Sequence, residues 1–332
     1  MRIAVLGAGA MGLIFGGALS RAGAEVVFFD SRSAVVDAIN RHGPRVSGVM
    51  GDFTLHCAAT TEASDLGQID MALVLVNAGA TATVAAVAER CLRPNGYALT
   101  LQNGIGNWEV LAGRLGEGRV LAGSTFNSGA GLGPGKSHHS DLGPSWLGEV
   151  DGTDSERAQA VAAMFRTGGL PCEAVNNAVA VIWSKFVLNC GINPVAAATG
   201  LRPGEIARDS YAATLLDGIL DEALAVVAAE GITLPEPDPR GHIRDHCWQR
   251  FNKPSMLQHI ESGRGTEIDA LNGALVERAR PHRIATPINE AIVRVIKGRE
   301  AAARHAASIP SETMGEPSVP EEPRNGRWGV PS

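Results

Sequence analysis

One lysine and two asparagines interrupt an apolar run near the middle of this 332-residue sequence, in the stretch WSKFVLNCGINP. Their spacing of four residues places Lys185, Asn189 and Asn193 on one face of a helix. A lysine among apolar side chains has its charged form disfavoured, so its pKa falls toward the range in which proton transfer is useful. We therefore expect Lys185 to be a general acid; the alternative is a solvated helix face.

A second polar stretch, residues 253–273, has the pattern of a helix from about Ser255, a glycine break, and another helix capped by Thr266. Glu267 then falls in the first turn of that second helix. Acidic residues are stabilised by a helix N-terminus whatever their function. On this pattern alone, Glu267 is a structural residue.

A glycine-rich motif follows a short apolar strand at the N-terminus and opens a helix; it consists of Gly7, Ala8, Gly9, Ala10, Met11 and Gly12. In this context the motif predicts a dinucleotide-binding loop, with its helix N-terminus facing the pyrophosphate. The next strand ends at Asp30, followed closely by Arg32. Asp30 suits the free ribose of NAD and Arg32 the 2′-phosphate of NADP, so the residues alone leave both cofactors open.

Apolar runs at 3–6, 26–29, 71–76 and 97–101 alternate with helical segments, which predicts a parallel sheet covered on both faces. The glycine-rich residues 123–143 are expected to be irregular. From about Asn176 long helical patterns follow, and Pro194 is expected to end or bend the first of them.

The predicted organisation is an α/β domain at 1–175, a helical domain at 176–307, and a tail at 308–332. The tail is rich in Pro, Glu and Ser, so we expect it to be disordered and dispensable. A chain of this length with 45% hydrophobic residues can build two cores.

Charge and cysteine content narrow the class of protein. The formal net charge is −6, and no basic stripe favours nucleic acid. Five scattered cysteines, odd in number and without C-x-x-C spacing, indicate reduced thiols and a cytoplasmic protein. No apolar stretch approaches about 18 uninterrupted residues, so no membrane span is expected.

Histidine spacing gives little support for a metal site. His242 and His246 stand four residues apart beside Cys247, and His138 and His139 form a pair. Zinc sites of enzymes add further ligands at fixed spacing, as in H-E-x-x-H or paired cysteines, and neither pattern is present. We expect no metal and interpret these histidines as surface or packing residues.

Four motifs in order resemble those of the ketopantoate reductases (2-dehydropantoate 2-reductases) over roughly residues 1–300: GAGAMG, LQNG at 101–104, K-x-x-x-N-C-x-I-N-P at 185–194, and SMLQ with G-R-x-TEID-x-LNG at 255–273. The resemblance implies an N-terminal Rossmann domain and an all-α C-terminal domain like that of 6-phosphogluconate dehydrogenase. It also implies reduction of 2-dehydropantoate to pantoate by NADPH, toward pantothenate and coenzyme A, in a cleft between the domains.

The same resemblance implies roles for individual residues. Lys185 corresponds to the lysine that protonates the developing alkoxide. Asn103 corresponds to the asparagine beside both nicotinamide and substrate, and Glu267 to the glutamate at the reacting centre and cofactor. Three further residues correspond to groups that bind the polar ends of the substrate: Asn189, Asn193 and Ser255.

Three positions depart from the family pattern. Asn77 stands where a lysine is common, Pro203 where many members have asparagine, and His259 where aspartate is usual. A related 2-oxo acid reductase of the same superfamily is therefore the alternative function. A non-catalytic protein that senses or binds NAD(P) would be expected to lack the acid and its glutamate, and both are present. The oligomeric state stays open, with a homodimer as one alternative.

Overall fold

The structure, a computed structural model, describes residues 1–308 and the side chains of residues 1–305. The predicted tail at 308–332 lies outside the described residues except for Ser308, which closes the last helix. The strands are β1 (Arg2–Leu6), β2 (Glu25–Phe29), β3 (Arg45–Gly48), β4 (Phe53–Thr54), β5 (Ala58–Thr60), β6 (Ile69–Val74), β7 (Leu92–Thr100), β8 (Val120–Thr125), β9 (Ser128–Gly133), β10 (Lys136–Asp141), β11 (Ser145–Glu149) and β12 (Cys172–Ala174). The helices are α1 (Ala10–Arg21), α2 (Ser33–His42), α3 (Thr81–Cys91), α4 (Asn107–Leu115), α5 (Glu156–Thr167), α6 (Ala178–Thr199), α7 (Pro203–Ile206), α8 (Ser210–Ala229), α9 (Pro239–Gln249), α10 (Ser255–Glu261), α11 (Asn272–Ala279) and α12 (Pro287–Ser308).

The larger sheet contains eight strands in the order β12-β11-β8-β7-β6-β1-β2-β5. Its neighbours run parallel except β8 and β11, which are antiparallel. The four apolar runs of the sequence form the adjacent strands β7, β6, β1 and β2, because such runs are stable where both faces are covered. This confirms the predicted α/β domain followed by an all-α region. The strand order reverses between β1 and β6, where open α/β sheets bind ligands beyond their carboxyl edge.

A second sheet, in the order β4-β3-β10-β9, lies in part within the stretch expected to be irregular. That expectation was wrong for β9 and β10. Strand β9 reads SGAGLG and is almost wholly exposed, so it has no apolar alternation by which a strand could be recognised. It is held by backbone pairing to β10, which in turn pairs with β3.

Helix α6 is the core helix of the all-α region, and α8, α10 and α12 pack against it. Of the described helices it alone is long and apolar enough to cross a membrane, but 61% of its apolar window is buried inside the protein. Its apolar residues therefore have protein neighbours, as in the central helix of a globular domain.

Pro194 was expected to end or bend α6; the helix continues to Thr199, so the expectation of an end was wrong. Proline lacks an N–H, which leaves the carbonyl four residues earlier, that of Cys190, without its helical partner. The Asn272 side chain supplies a donor to that carbonyl at 3.0 Å. As a result, Asn193 is a buried residue inside the helix rather than one at its rim.

Candidate active site

The glycine loop between β1 and α1 has the geometry that a pyrophosphate requires. Gly7 has a positive φ of 105°, and a Cβ there would lie 2.9 Å from the Leu75 carbonyl oxygen. A Cβ at Gly12 would lie 1.8 Å from the carbonyl oxygen of Gly7, so only glycine permits this packing. At Gly9, by contrast, a Cβ would meet nothing within 4 Å. The loop therefore leaves room at Gly9 for a ligand to approach the backbone at the N-terminus of α1.

Asp30 and Arg32, at the end of β2, form a bidentate pair. Arg32 donates from Nε to one carboxylate oxygen of Asp30 and from Nη2 to the other, both at 2.8 Å. The same carboxylate accepts from the backbone N–H of Ala8 and of Arg32, each at 3.0 Å. Burial opposes the charge of Asp30, but the bonds from Arg32 outweigh it and lower the pKa of this carboxyl. Asp30 thus holds the glycine loop and Arg32, whose side chain is 61% exposed.

Lys185 projects from α6 to the carboxyl ends of β7 and β8. Its Nζ donates to Asn103 Oδ1 at 2.9 Å and to the carbonyl oxygen of Thr125. The ring of Phe126 lies 5.4 Å from Nζ, within the range of a cation–π contact. An ammonium group has three donors, so these two bonds leave one for a ligand.

Lys185 is partly buried, and the loss of water around its ammonium lowers its pKa from the ordinary 10.5 to about 8. The negative charge of Glu267 acts in the opposite direction and limits the fall. A pKa near neutrality is what a general acid needs, because the group holds its proton and can also give it up. The sequence-based expectation of a lowered pKa and the structure agree.

Asn103, in the α/β domain, connects that domain to the all-α region by hydrogen bonds to Lys185 and Glu267. It accepts from Lys185 and donates from Nδ2 to Glu267 Oε2 at 3.1 Å. Its own backbone carbonyl accepts from Asn107 Nδ2 at 3.0 Å, which fixes the loop after β7. The next residue, Gly104, has a φ of 86°, and a Cβ there would lie 2.6 Å from the Ala270 carbonyl oxygen. Glycine at this position allows the loop to approach the segment that carries Glu267.

A small cleft lies on the α6 side of Glu267. It is lined by Asn193, Ser255, Met256, His259, Glu267 and Leu271. Among the described residues, neither Asn193 nor Ser255 has a side-chain hydrogen-bond partner, and the same is true of Asn189 on the Lys185 face of α6. Polar groups that lie together without partners are available to a polar ligand.

Glu267 is not in the first turn of an α-helix, as the capping pattern predicted. It precedes a short 3₁₀ turn, Ile268–Ala270, and the α-helix begins only at Asn272. Thr266 accepts from the N–H of Ile268 at 3.3 Å, but it also donates to the carboxylate of Glu300 at 2.7 Å. The bond to Glu300 on α12 holds this segment and leaves Glu267 directed toward Asn103.

The three departures from the family pattern occupy different places. Asn77 is exposed after β6, and Pro203 is buried at the first position of α7. His259 lines the cleft, and its Nδ1 is buried without a hydrogen-bond partner. Burial and the nearby Arg264 lower the pKa of His259, so the ring is neutral at neutral pH.

Within the described residues, no group of three or more His, Cys, Asp or Glu side chains is arranged to hold a metal ion.

Two contacts of Lys185 were not foreseen from the sequence. Thr125 acts through its backbone carbonyl, which any residue possesses, and Phe126 stands in the glycine-rich stretch expected to be irregular. Neither residue type nor spacing could have identified them. The packing of α6 against β8 is the feature that brings them to Lys185.

Comparison with known proteins gives consistent matches along the chain. The family described as ketopantoate reductase PanE/ApbA matches residues 3–152, and the family described as ketopantoate reductase PanE/ApbA C terminal matches residues 177–300. The 2-dehydropantoate 2-reductase of Archaeoglobus fulgidus is 32% identical over 302 residues, which span 90% of this chain and 98% of the relative.

Solved structures agree with these matches. A PanE/ApbA family ketopantoate reductase from Ralstonia eutropha is 29% identical with a TM-score of 0.83, over 92% of this chain and 100% of that one. D-mandelate dehydrogenase in a ternary structure with NADH and anilino(oxo)acetate is 25% identical with a TM-score of 0.81, over 91% of this chain and 99% of that one.

Proposed function

Because this chain belongs to the ketopantoate reductase family of oxidoreductases, we propose that it reduces 2-dehydropantoate to (R)-pantoate with NADPH, toward pantothenate and coenzyme A. The observation that carries the proposal is the bonded link from Lys185 through Asn103 to Glu267. It joins an acid on α6 to the sheet edge where a nicotinamide cofactor would bind. We assign cofactor binding to residues 1–175 and the acid and most substrate contacts to residues 176–307.

Bound NADPH supplies the hydride that reduces the carbonyl carbon. Lys185 donates its Nζ proton to the carbonyl oxygen as negative charge develops there, which stabilises the transition state more than the ground state. Asn103 and the Thr125 carbonyl hold the ammonium in place and leave its third N–H for the substrate. Glu267 fixes Asn103 and, through its charge, keeps Lys185 protonated at neutral pH.

Substrate binding is assigned to the polar groups without partners. Asn189 and Asn193 follow Lys185 along α6, and Ser255 lines the same cleft as Asn193. Amide and hydroxyl groups can bind both the carboxylate and the distal hydroxyl of a 2-oxo acid. Asn103 and Glu267 complete the site on the cofactor side.

The Asp30–Arg32 pair supports NADPH over NADH. The Asp30 carboxylate already accepts four hydrogen bonds, which occupy its lone pairs and leave little capacity for ribose hydroxyls. Arg32 uses two of its five N–H donors in this pair, and the others are available to a 2′-phosphate. NAD remains the alternative cofactor, as a solved relative binds NADH.

The alternative substrate is another 2-oxo acid. His259 places a neutral imidazole in the cleft where the family pattern has an aspartate, and Pro203 replaces a polar residue at the start of α7. D-mandelate dehydrogenase shares this fold over nearly its whole length. With a neutral imidazole in place of that aspartate, the cleft has one carboxylate fewer for substrate hydroxyls, which favours substrates with fewer hydroxyl groups than 2-dehydropantoate.

The test is a panel of 2-oxo acids with NADPH and NADH, followed at the nicotinamide absorbance. We expect the highest kcat/KM for 2-dehydropantoate with NADPH. A higher value for another 2-oxo acid would select the alternative reductase. Absence of turnover with every 2-oxo acid, together with tight NADPH binding, would favour a non-catalytic NAD(P)-binding protein.

The same proposal extends to the partner molecule, the location in the cell and the oligomeric state. We propose a small 2-oxo acid as the partner, bound by the polar groups that line the cleft, and a cytoplasmic location because all five cysteines are free thiols. The oligomeric state is left open between a monomer and a homodimer, which sedimentation would distinguish.

A further inference from the structure

A buried polar network lies directly behind the Thr125 carbonyl that Lys185 contacts. Asn127 donates from Nδ2 to the Gly143 carbonyl at 2.7 Å and to Thr125 Oγ1 at 2.9 Å. Ser145 donates to the same hydroxyl at 2.8 Å. These bonds tie the end of β8 to the beginning of β11. Thr125 and Phe126, which contact the Lys185 ammonium together with Asn103, lie inside this segment.

His139 closes the network from the second sheet. It is fully buried on β10, and its Nε2 lies 2.9 Å from Asn127 Oδ1. The Gly143 carbonyl can only accept, so it fixes the amide of Asn127 with Nδ2 toward Gly143 and Oδ1 toward His139. His139 must therefore carry its proton on Nε2 and act as the donor. The sequence-based view of His139 as a packing residue leaves out this directed bond.

We propose that Asn127 and His139 are positioning residues for Lys185: they hold the backbone carbonyl of Thr125 and the ring of Phe126 against its ammonium. This inference rests on the proposed role of Lys185 as the acid. The Thr125 carbonyl and the aromatic face both favour the charged lysine. Loosening the segment therefore makes the proton of Lys185 easier to lose.

Few other charged or titratable groups lie near Lys185 and the segment that contacts it. Glu267 is the group whose charge acts on Lys185, and it lies on the opposite side, beyond Asn103. His246 of α9 lies beside Phe126, with its pKa lowered to about 4 by burial, so it is neutral when Lys185 titrates. His138 and Asp141 flank His139 on β10, and burial lowers the pKa of His139 itself. Replacing His139 with a neutral residue hence changes no charge in the range where Lys185 titrates.

The experiment is a direct titration of Lys185. The sequence has only four lysines, Lys136, Lys185, Lys253 and Lys297, so ¹³Cε-lysine labelling of the full chain gives few signals. Lys185→Met assigns the signal. We expect His139→Leu, which removes the donor, to lower the titration midpoint of Lys185 by about half to one pH unit. His139→Gln, whose amide can donate from nearly the same place, restores the wild-type midpoint.

Thr125→Val provides a second test if His139→Leu does not fold. It removes the hydroxyl to which Asn127 and Ser145 are bonded but keeps the backbone carbonyl, and we expect the same downward shift. An unchanged midpoint in a folded His139→Leu or Thr125→Val chain would overturn the proposal. The titration needs no substrate, so a wild-type chain that fails to reduce 2-dehydropantoate would refute the proposed function without affecting this result.

Discussion

Asn272 donates a hydrogen bond from Nδ2 to the carbonyl oxygen of Cys190 at 3.0 Å, the carbonyl that Pro194 leaves without a helical donor. The same amide group donates to Asn289 Oδ1 at 2.8 Å, and both asparagines are fully buried. Helix α6 can therefore pass through a proline without an orphaned carbonyl in its core. In consequence Asn193 stays on the same helical face as Lys185.

Replacing Asn272 tests this relationship. We expect Asn272→Leu to lower the free energy of unfolding by about 1–3 kcal/mol, because buried acceptors lose their donor. In a Pro194→Ala background the new backbone N–H can bond Cys190, so the same replacement should cost less. Denaturant unfolding of the four chains in this double-mutant cycle measures the coupling. Equal costs in both backgrounds would show that Asn272 does not compensate for the proline.

Arg32 is expected to select the cofactor. Arg32→Ala removes the donors available to a 2′-phosphate and frees the Asp30 carboxylate to bind ribose hydroxyls. NADPH binding should weaken by about 1.5–3 kcal/mol, the size of a bond to a charged group, whereas NADH binding should not weaken. Fluorescence titration with both cofactors measures this, and Arg41→Ala, an exposed change on α2, is the matched control. Equal weakening of the two cofactors would contradict the assignment.

Turnover should depend on pH through Lys185. Its pKa is lowered to about 8, and an acid must hold its proton, so turnover is full well below pH 8 and is lost as the pH rises through about 8. A lysine with the ordinary pKa of 10.5 would move that loss to about pH 10.5. A pH profile of kcat at saturating substrate gives the midpoint; a midpoint near the free-lysine value would exclude the partly buried Lys185 as the acid.

Replacing Glu267 should shift the same pH profile in a direction that can be predicted. Its negative charge raises the pKa of Lys185 against the effect of burial. Glu267→Gln keeps the shape and a hydrogen-bond acceptor for Asn103 but removes the charge, so the alkaline limb should move to lower pH. If the limb moved to higher pH or did not move, the electrostatic role of Glu267 would be wrong.

Much of the architecture was predictable because its causes are local. Short apolar runs such as 71–76 fit strands covered on both faces, and the G-x-G-x-x-G loop has steric requirements that Gly7 and Gly12 meet in the structure. The spacing of Lys185, Asn189 and Asn193 specifies a common helix face by geometry alone. These features depend on neighbours a few residues apart.

Other features depend on contacts between distant segments. The sequence around Pro194 indicates a helix end or bend, and the donor that satisfies the freed Cys190 carbonyl, Asn272, lies far along the chain. The exposed, glycine-rich strand β9 exists because β10 pairs with it. The Thr125 carbonyl reaches Lys185 because β8 and α6 pack together. Such contacts leave no periodic pattern in the sequence.

The central claim is that Lys185 gives a proton to the substrate, and single-turnover hydride transfer in Lys185→Met tests it most directly. Methionine keeps most of the volume and removes the charge and the proton. With NADPH affinity unchanged, because the glycine loop and Arg32 lie in the other region of the chain, we expect the transfer rate to fall by a factor of about 10² to 10⁴. Lys136→Met, at an exposed lysine on β10, should keep the wild-type rate. A Lys185→Met chain that transfers hydride at a near-normal rate with an unchanged pH profile would contradict the account.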